Sequence, residues 1–364
     1  VGAFVLLNLV IQMSGKAQFH EIQEVGKQAK EEKAAAVKSS HSWAWWLSKE
    51  YEELPEAPDL VVFGSSLLGS AHASVDAQFN QELTDVLMHR RINYLEDQLE
   101  KRLNEKLSVF SLGSPGEMIS DAYLLSKTLF AGNKKPRLVI ATIAPRDFID
   151  NTLPSPAATD HFKFFSKFVP LDNLKSAAYP DFFSRLGAEI DSLLLKQIAK
   201  SKIQPYAEAV NNIWAPAEGS RIEPGASLVP AGVVPPRVDN SKEYIERFKN
   251  PDSANFEGEM KFFQAWLQDL KSKNIRVLVV CMPTTEANRK LLPATFWHRF
   301  RAEISSQCRK QNADLLDLSD SGLFTQVDYL DTVHLNAYGG VRLFPVIAQK
   351  LSMLPDCRQI FQKK

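Results

Sequence analysis

The chain has 364 residues, of which 45% are hydrophobic and 24% charged, and 43 basic residues balance 43 acidic ones. This composition is typical of a folded globular protein and excludes a disordered tail, a collagen-like chain and a disulfide scaffold. The zero net charge argues against a general nucleic-acid binder, so no nucleic-acid partner is predicted.

The N-terminal residues 1–15 are apolar as far as Met13. This stretch is shorter than the ~20 residues that span a bilayer. We interpret it as part of a transmembrane or signal-anchor helix, which would make the membrane a partner through the N-terminus. The alternative is a buried helix of the domain. Residues 16–57 are rich in Lys, Glu, Gln and Ala in their first part, which predicts a helical stalk.

Five apolar runs separated by helical patterns follow. The runs are Asp59–Phe63, Leu107–Leu112, Arg137–Ala144, Ile275–Cys281 and the weaker Ala313–Leu318. The helical patterns include Glu117–Phe130, Glu257–Ser272 and Pro293–Gln311. Continuous apolar runs suit strands buried on both faces, and alternation with helices favours a parallel sheet. We therefore predict a three-layer α/β/α sandwich, flavodoxin-like, with about five strands, and functional residues just beyond the carboxyl ends of the strands.

A long insertion interrupts this pattern. The α/β domain is predicted over residues 58–150 and 256–355, and residues 151–255 lie between the two parts. A structureless loop of this length is improbable in a compact domain. We interpret the insertion as a cap over the active face. The alternative is a peripheral packing element.

Two short motifs carry the chemistry. Gly64-Ser65-Ser66-Leu67 ends the first strand, where a serine hydroxyl would lie at the sheet edge and its N–H at a helix N-terminus. Near the other end of the chain, Asp331 and His334 are three residues apart, so one turn brings the carboxylate to the imidazole. A serine becomes nucleophilic when such a carboxylate-oriented histidine takes its proton.

These motifs resemble those of the SGNH/GDSL hydrolase superfamily. Gly64-Ser-Ser-Leu67 is similar to the first block, Gly-Asp-Ser-Leu, with Ser65 in place of Asp. Asp331-Thr-Val-His334 is similar to the last block, and Gly113 stands where the second block has its oxyanion glycine. The third block is normally Gly-x-Asn-Asp, but here it is Ala144-Pro-Arg-Asp147, so the oxyanion Asn is missing.

The resemblance implies an SGNH-hydrolase-like fold and assigns roles residue by residue. Ser66 is then the nucleophile, His334 the general base and Asp331 the residue that orients it. Gly113 would donate to the oxyanion, and Arg146 would either do so too or pair with Asp147. A register one residue off would make Ser65 the nucleophile. Asn336 and His89 either support the site or are ordinary helix polar residues.

The Gly-Ser-Ser variant resembles the membrane-tethered bacterial branch of teichoic-acid D-alanylation and alginate O-acetylation proteins. That branch implies a membrane-anchored protein with its catalytic domain outside the cytoplasm, in the cell envelope. Its expected partners are a carbohydrate or cell-surface polymer and an acyl donor.

The leading hypothesis is serine-dependent acyl ester chemistry through an acyl-enzyme, as an O-acyltransferase or an esterase. The alternative is a non-catalytic protein that binds or assembles a surface polymer on a degenerate hydrolase fold. A nucleotide-cofactor enzyme is a third reading, but the run from Gly64 to Gly69 lacks the Gly-x-Gly-x-x-Gly spacing and a Walker lysine. No cofactor is predicted, and no metal, because HExxH and clustered His/Cys patterns are lacking in the sequence.

Overall fold

The computed structural model describes residues 43–85, 89–181, 185–187, 228–229, 232, 237–355 and 360–361. The chain divides into two units, residues 1–46 with 187–223 and residues 47–186 with 224–364. The sheet and the helices that pack on it belong to the second unit. The predicted anchor (1–15), most of the predicted stalk (16–57) and the middle of the insertion lie outside the described residues.

Five parallel strands form the central sheet, in the order β3-β1-β4-β6-β7. A separate antiparallel pair joins β2 to β5. The strands are β1 Leu60–Phe63, β2 Thr84–Asp85, β3 Val109–Ser111, β4 Leu138–Ile143, β5 Leu228–Val229, β6 Arg276–Cys281 and β7 Asp314–Asp317. Each of the five predicted apolar runs is a strand of the central sheet, which confirms the predicted α/β class and strand number.

The helices form two groups. Their bounds are α1 Trp43–Glu53, α2 Ser66–Asn80, α3 Asn93–Leu103, α4 Ile119–Leu129, α5 Arg146–Ile149, α6 Asp160–Phe165, α7 Lys175–Ala178, α8 Ser241–Arg247, α9 Ala254–Ser272, α10 Glu286–Arg289, α11 Ala294–Gln311 and α12 Ala337–Ser352. Helices α2, α3 and α12 pack against one another, and α9 packs against α4 and α11 in the second group. Short 3₁₀ turns lie at Pro156–Ala158, Asp172–Leu174 and Gln326–Asp328.

Strands β1, β3 and β4 are buried along their whole length, as expected for parallel strands covered on both faces. Aromatic side chains fill the space between sheet and helices. The Phe63 ring meets the Trp266 ring at 5.1 Å, and Phe148 meets Phe263 and Phe300 at 5.8 and 5.4 Å. Edge-to-face contacts of this kind add to the area that the rings bury.

Two glycines let the ends of neighbouring strands approach closely. A Cβ on Gly64 would lie 1.9 Å from Thr142 Oγ1, and a Cβ on Gly113 would lie 2.8 Å from Gly64 O. The chain therefore needs glycine at both positions. The carboxyl ends of β1, β3 and β4 meet here, at the edge where functional residues were predicted.

Described helices of the insertion pack against helices of the α/β domain. Phe162 and Phe165 of α6 are buried, and the Phe162 ring meets the Phe262 ring of α9 at 5.8 Å. Helix α6 packs on α4, and α7 packs on α9. In the described part of the chain, none of the helices has both the length and the apolar character that a membrane span needs.

Candidate active site

Ser66 lies at the junction between β1 and α2. The strand ends at Phe63, Gly64 and Ser65 make the turn, and Ser66 is the first helical residue. Its side chain is partly exposed, whereas Ser65 is buried. The Ser66 Oγ lies 2.8 Å from His334 Nε2. The structure thus brings Ser66, and not Ser65, to the histidine.

His334 and Asp331 lie in a tight loop before α12. Tyr329 and Leu335 pair as an antiparallel bridge, and the Leu330 N–H donates to His334 O at 2.7 Å. Inside this loop the Asp331 Oδ1 accepts the N–H groups of Val333 and His334, each at 2.8 Å. The carboxylate therefore shapes the turn that carries the imidazole.

The three side chains form a continuous hydrogen-bonded row. His334 Nδ1 lies 2.5 Å from Asp331 Oδ2, and its Nε2 faces Ser66 Oγ. Burial alone would raise the pKa of Asp331. The hydrogen bonds and charge of His334, with the backbone N–H groups, outweigh it, and the pKa falls below its usual value. An ionised Asp331 accepts from Nδ1–H, so Nε2 is left free to take the serine proton.

Two backbone N–H groups at this edge are candidate oxyanion donors. Within the described residues, the Ser66 N–H at the start of the 15-residue α2 has no acceptor. The Gly113 N–H makes only a long contact with Ser111 Oγ, at 3.4 Å. Arg90 holds the same glycine from the other side, because its Nη1 donates to Gly113 O at 3.0 Å. Free N–H groups at a helix start suit a developing negative charge.

Arg146 stands where the third motif block predicted from the resemblance would have its Asn. Its Nη1 donates to Glu117 O at 2.9 Å and lies 3.4 Å from Asp147 Oδ1. Its Nη2 donates to Gly116 O at 3.1 Å and lies 3.1 Å from Asp150 Oδ2. Of the two alternatives for Arg146, the structure has the ion pair with Asp147. The oxyanion role stays a prediction that would require these contacts to break.

The loop after β3 rests on buried polar groups. The Ser114 N–H donates to Glu117 Oε2 at 3.0 Å, and Ser114 Oγ lies 2.9 Å from His161 Nε2. Burial raises the pKa of Glu117 well above its usual range and lowers that of His161 to about 4. His161 is therefore neutral near pH 7. Both groups hold the loop of Gly113.

Asn336 and His89 make structural hydrogen bonds. Asn336 caps α12, where its Oδ1 accepts from Tyr338 N and Gly339 N. His89 Nε2 lies 3.1 Å from Asp76 Oδ2. Both contacts agree with the alternative that these are ordinary structural polar residues.

Within the part of the chain that the structure describes, His72, Asp76 and His89 form a cluster of side-chain types that bind metals, with ligand atoms all within 4.8 Å of one another. No local sequence pattern marks this cluster, because His89 lies on a different segment from the His72–Asp76 pair. Each group already has partners, since Asp76 accepts the N–H groups of Asn93 and Tyr94, and His72 Nε2 lies 2.9 Å from Arg91 O. This arrangement caps the start of α3.

Sequence reasoning also missed Asn240 and Arg90. Asn240 comes from the insertion, and its Nδ2 donates to Asp331 Oδ2 at 3.0 Å. Arg90 supports Gly113, as described. No motif marks either residue. From sequence alone, an Asn before a helix is interpreted as a helix cap and a lone Arg as a surface charge.

Comparison with protein families finds one match. Residues 237–349 match the family described as DltD protein, which is the teichoic-acid D-alanylation branch that the motifs resemble. This match confirms the predicted resemblance over that part of the chain, which includes Asp331 and His334. Among curated proteins, none matches this sequence.

Solved structures that align with this chain include two acetylxylan esterases. One is the acetyl xylan esterase AlAXEase, with 15% identity, a TM-score of 0.37, and coverage of 80% of this chain and 97% of that one. The other is a catalytic mutant of an acetylxylan esterase from Geobacillus stearothermophilus, with 10% identity, a TM-score of 0.38, and coverage of 85% and 97%. At these TM-scores the likeness adds nothing to the fold seen in the sheet order itself.

Proposed function

We propose, from the match of residues 237–349 to the DltD protein family and from the row Ser66–His334–Asp331, that this chain performs serine-dependent acyl ester chemistry on a cell-surface carbohydrate or polymer. The observation that carries the proposal is the 2.8 Å contact between Ser66 Oγ and His334 Nε2. A hydroxyl this close to a carboxylate-oriented imidazole is arranged for proton transfer.

The first half of the reaction makes an acyl-enzyme. Ser66 Oγ attacks the acyl carbonyl carbon while His334 Nε2 takes the hydroxyl proton. The N–H groups of Ser66 and Gly113 stabilise the oxyanion of the tetrahedral intermediate. His334 then gives its proton to the leaving alcohol oxygen, the ester C–O bond breaks, and the acyl group stays on Ser66.

The second half decides between esterase and acyltransferase. His334 takes a proton from the acceptor hydroxyl, whose oxygen attacks the acyl carbon and releases Ser66. Water as acceptor gives hydrolysis, and a carbohydrate hydroxyl gives O-acyl transfer. Hydrolysis and O-acyl transfer use the same three residues. The proposal therefore covers the acyl-enzyme step that the two reactions share.

The same resemblance supports a proposal for the cellular location of the protein. We propose that residues 1–15 belong to a membrane anchor and residues 16–57 to a stalk, with the α/β domain of 58–150 and 256–355 outside the cytoplasm. Residues 151–255 remain a proposed cap. Carbonate extraction of membranes from cells that express the full chain tests the anchor, because an anchored protein stays in the membrane pellet.

Labelling with a fluorescent fluorophosphonate tests the nucleophile. We expect labelling of the wild type, none with Ser66→Ala, and turnover of p-nitrophenyl acetate at least 1,000-fold slower in that variant. Ser65→Ala is the matched control, because it removes the neighbouring hydroxyl and should keep the label.

The opposite pattern would assign the nucleophile to Ser65. A folded wild type that takes no label would overturn the catalytic proposal and favour a protein that only binds a surface polymer. The missing third-block Asn is the observation behind that alternative.

A further inference from the structure

The segment just before α8 lies against the loop of the proposed general base. The Val238 N–H donates to Leu330 O at 2.8 Å, and Arg237 Nε donates to Asp331 O at 3.3 Å. This segment comes from the insertion, far from both motifs in sequence. It therefore holds the backbone of the Asp331 loop from outside the α/β core.

Asn240 ends this segment and connects two residues of that loop. Its Oδ1 accepts the Thr332 N–H at 3.1 Å and also faces Thr332 Oγ1. A backbone N–H only donates, so the atom facing it must be the amide oxygen. The amide nitrogen then faces Asp331 Oδ2, at 3.0 Å, as a donor.

Asp331 thus receives four N–H groups. Two backbone groups bind Oδ1, and His334 Nδ1 and Asn240 Nδ2 share Oδ2. Three of these donors belong to the Asp331 loop itself, and the Asn240 amide is the donor that comes from another segment. It fixes the direction in which Oδ2 presents its other lone pair to His334 Nδ1.

We propose that Asn240 is a positioning residue that extends the Ser66–His334–Asp331 row to a fourth member, holding the Asp331 carboxylate ionised and aimed at His334. The proposal deepens the proposed function and rests on it for its kinetic consequence. The contact itself exists whether or not the chain is an enzyme.

The sharpest variant is Asn240→Asp in the full chain. It keeps an oxygen for Thr332 and nearly the same shape, but it places a second carboxylate where a donor faced Asp331. Two carboxylates this close repel each other, so one of them keeps its proton to higher pH. Once both are ionised, the added negative charge stabilises the protonated imidazole, so the acid limb of the kcat/KM profile should move up. Among the described residues, His334, Arg237 and the Tyr244 hydroxyl are charged or titratable groups near Asp331, and the variant leaves them in place.

Asn240→Ala removes the donor without adding charge. Because a hydrogen bond to a charged group is lost, we expect kcat to fall about 10- to 100-fold, with KM changed less than about threefold. Asn255→Ala is the matched control. Asn255 Nδ2 donates to Asp150 O and Leu153 O, away from the row, so its loss should leave the pH profile unchanged.

An NMR titration of His334 separates this proposal from the proposed function. The titration is done in the Ser66→Ala variant, and the His334 resonance is assigned by its loss in His334→Gln. Adding Asn240→Asp should make this resonance titrate at higher pH. If the wild type takes no fluorophosphonate label, the proposed function fails and the titration still decides on Asn240. If the wild type is active, unchanged kinetics and an unchanged His334 titration in Asn240→Asp overturn the positioning role.

Discussion

At the scale of single residues, the space around Gly64 controls where Ser66 lies. A Cβ at this position would lie 1.9 Å from Thr142 Oγ1 and 3.0 Å from Leu68 Cβ. Thr142 Oγ1 donates to Phe63 O at 2.7 Å in the buried interior, so it is not free to rotate away. Any side chain at Gly64 must therefore move the end of β1 or the start of α2.

Gly64→Ala should destabilise the protein by about 2–3 kcal/mol and lower fluorophosphonate labelling of Ser66, because overpacking shifts the backbone. Gly132→Ala is the control, since a Cβ there meets no atom within 4 Å. It should change the free energy of unfolding by no more than about 0.5–1 kcal/mol. Urea unfolding of both variants checks this. Equal effects would show that the strand ends do not approach as closely as described.

At the scale of elements, Asp76 fixes the start of α3 from within α2. Its carboxylate accepts the N–H groups of Asn93 and Tyr94, at 2.7 and 2.9 Å. Burial alone would raise the pKa of Asp76, but the hydrogen bonds and charge of the neighbouring histidines, with the backbone N–H groups, lower it to about 2. One buried side chain thus joins two helices that pack together.

This lowered pKa predicts a pH-dependent stability. The folded pKa lies below the unfolded value of 3.8, so the stabilisation is complete above about pH 4 and is lost as the pH falls towards 2. Asp76→Asn should cost about 2 kcal/mol at pH 7, and less at pH 3. Asp97→Asn removes a partly exposed carboxylate paired with Lys101 and should cost under about 0.5 kcal/mol. Urea titrations at both pH values measure the difference, and a pH-independent cost would refute the cap.

At the scale of the whole molecule, several buried carboxyl groups lie around the start of α4. Burial raises the pKa of Glu117 and Glu259 well above the usual range, and that of Asp121 to about 7, despite hydrogen bonds from Thr159 and Met118. A group whose folded pKa is raised stabilises the fold below its unfolded pKa. That stability is lost as the pH rises through the folded value.

The molecule should therefore lose stability between about pH 4 and 7 through Asp121. Replacement by Asn removes the titrating group, so Asp121→Asn should flatten the stability curve over that range by about 1.4 kcal/mol per pH unit at most. The variant also loses one hydrogen-bond acceptor, which lowers the free energy of unfolding equally at every pH. The quantity to measure is therefore the slope of the free energy of unfolding against pH. Asp160→Asn, at an exposed carboxyl paired with Lys163, should keep the wild-type slope. An unchanged slope in Asp121→Asn would mean that this carboxyl is ionised in the folded protein.

The sequence allowed the sheet and the motif residues to be predicted, for local reasons. Most strands of the central sheet are apolar runs, and the spacing of Asp331 and His334 fits one turn of chain. The support of the site was not predictable in this way. Asn240 and Arg90 act through contacts with residues 91 and 23 positions away, and such contacts leave no local pattern. The buried state of Glu117 likewise depends on packing that charge counting does not reveal.

Ser66 and His334, its proposed base, are 268 residues apart in the chain. During synthesis Ser66 leaves the ribosome long before His334 has been made. Throughout that interval the hydroxyl has no base beside it and is an ordinary, unreactive alcohol. Reactivity towards acyl groups would begin only when the loop that carries His334 has folded against Ser66, so a half-made chain would carry no activated serine.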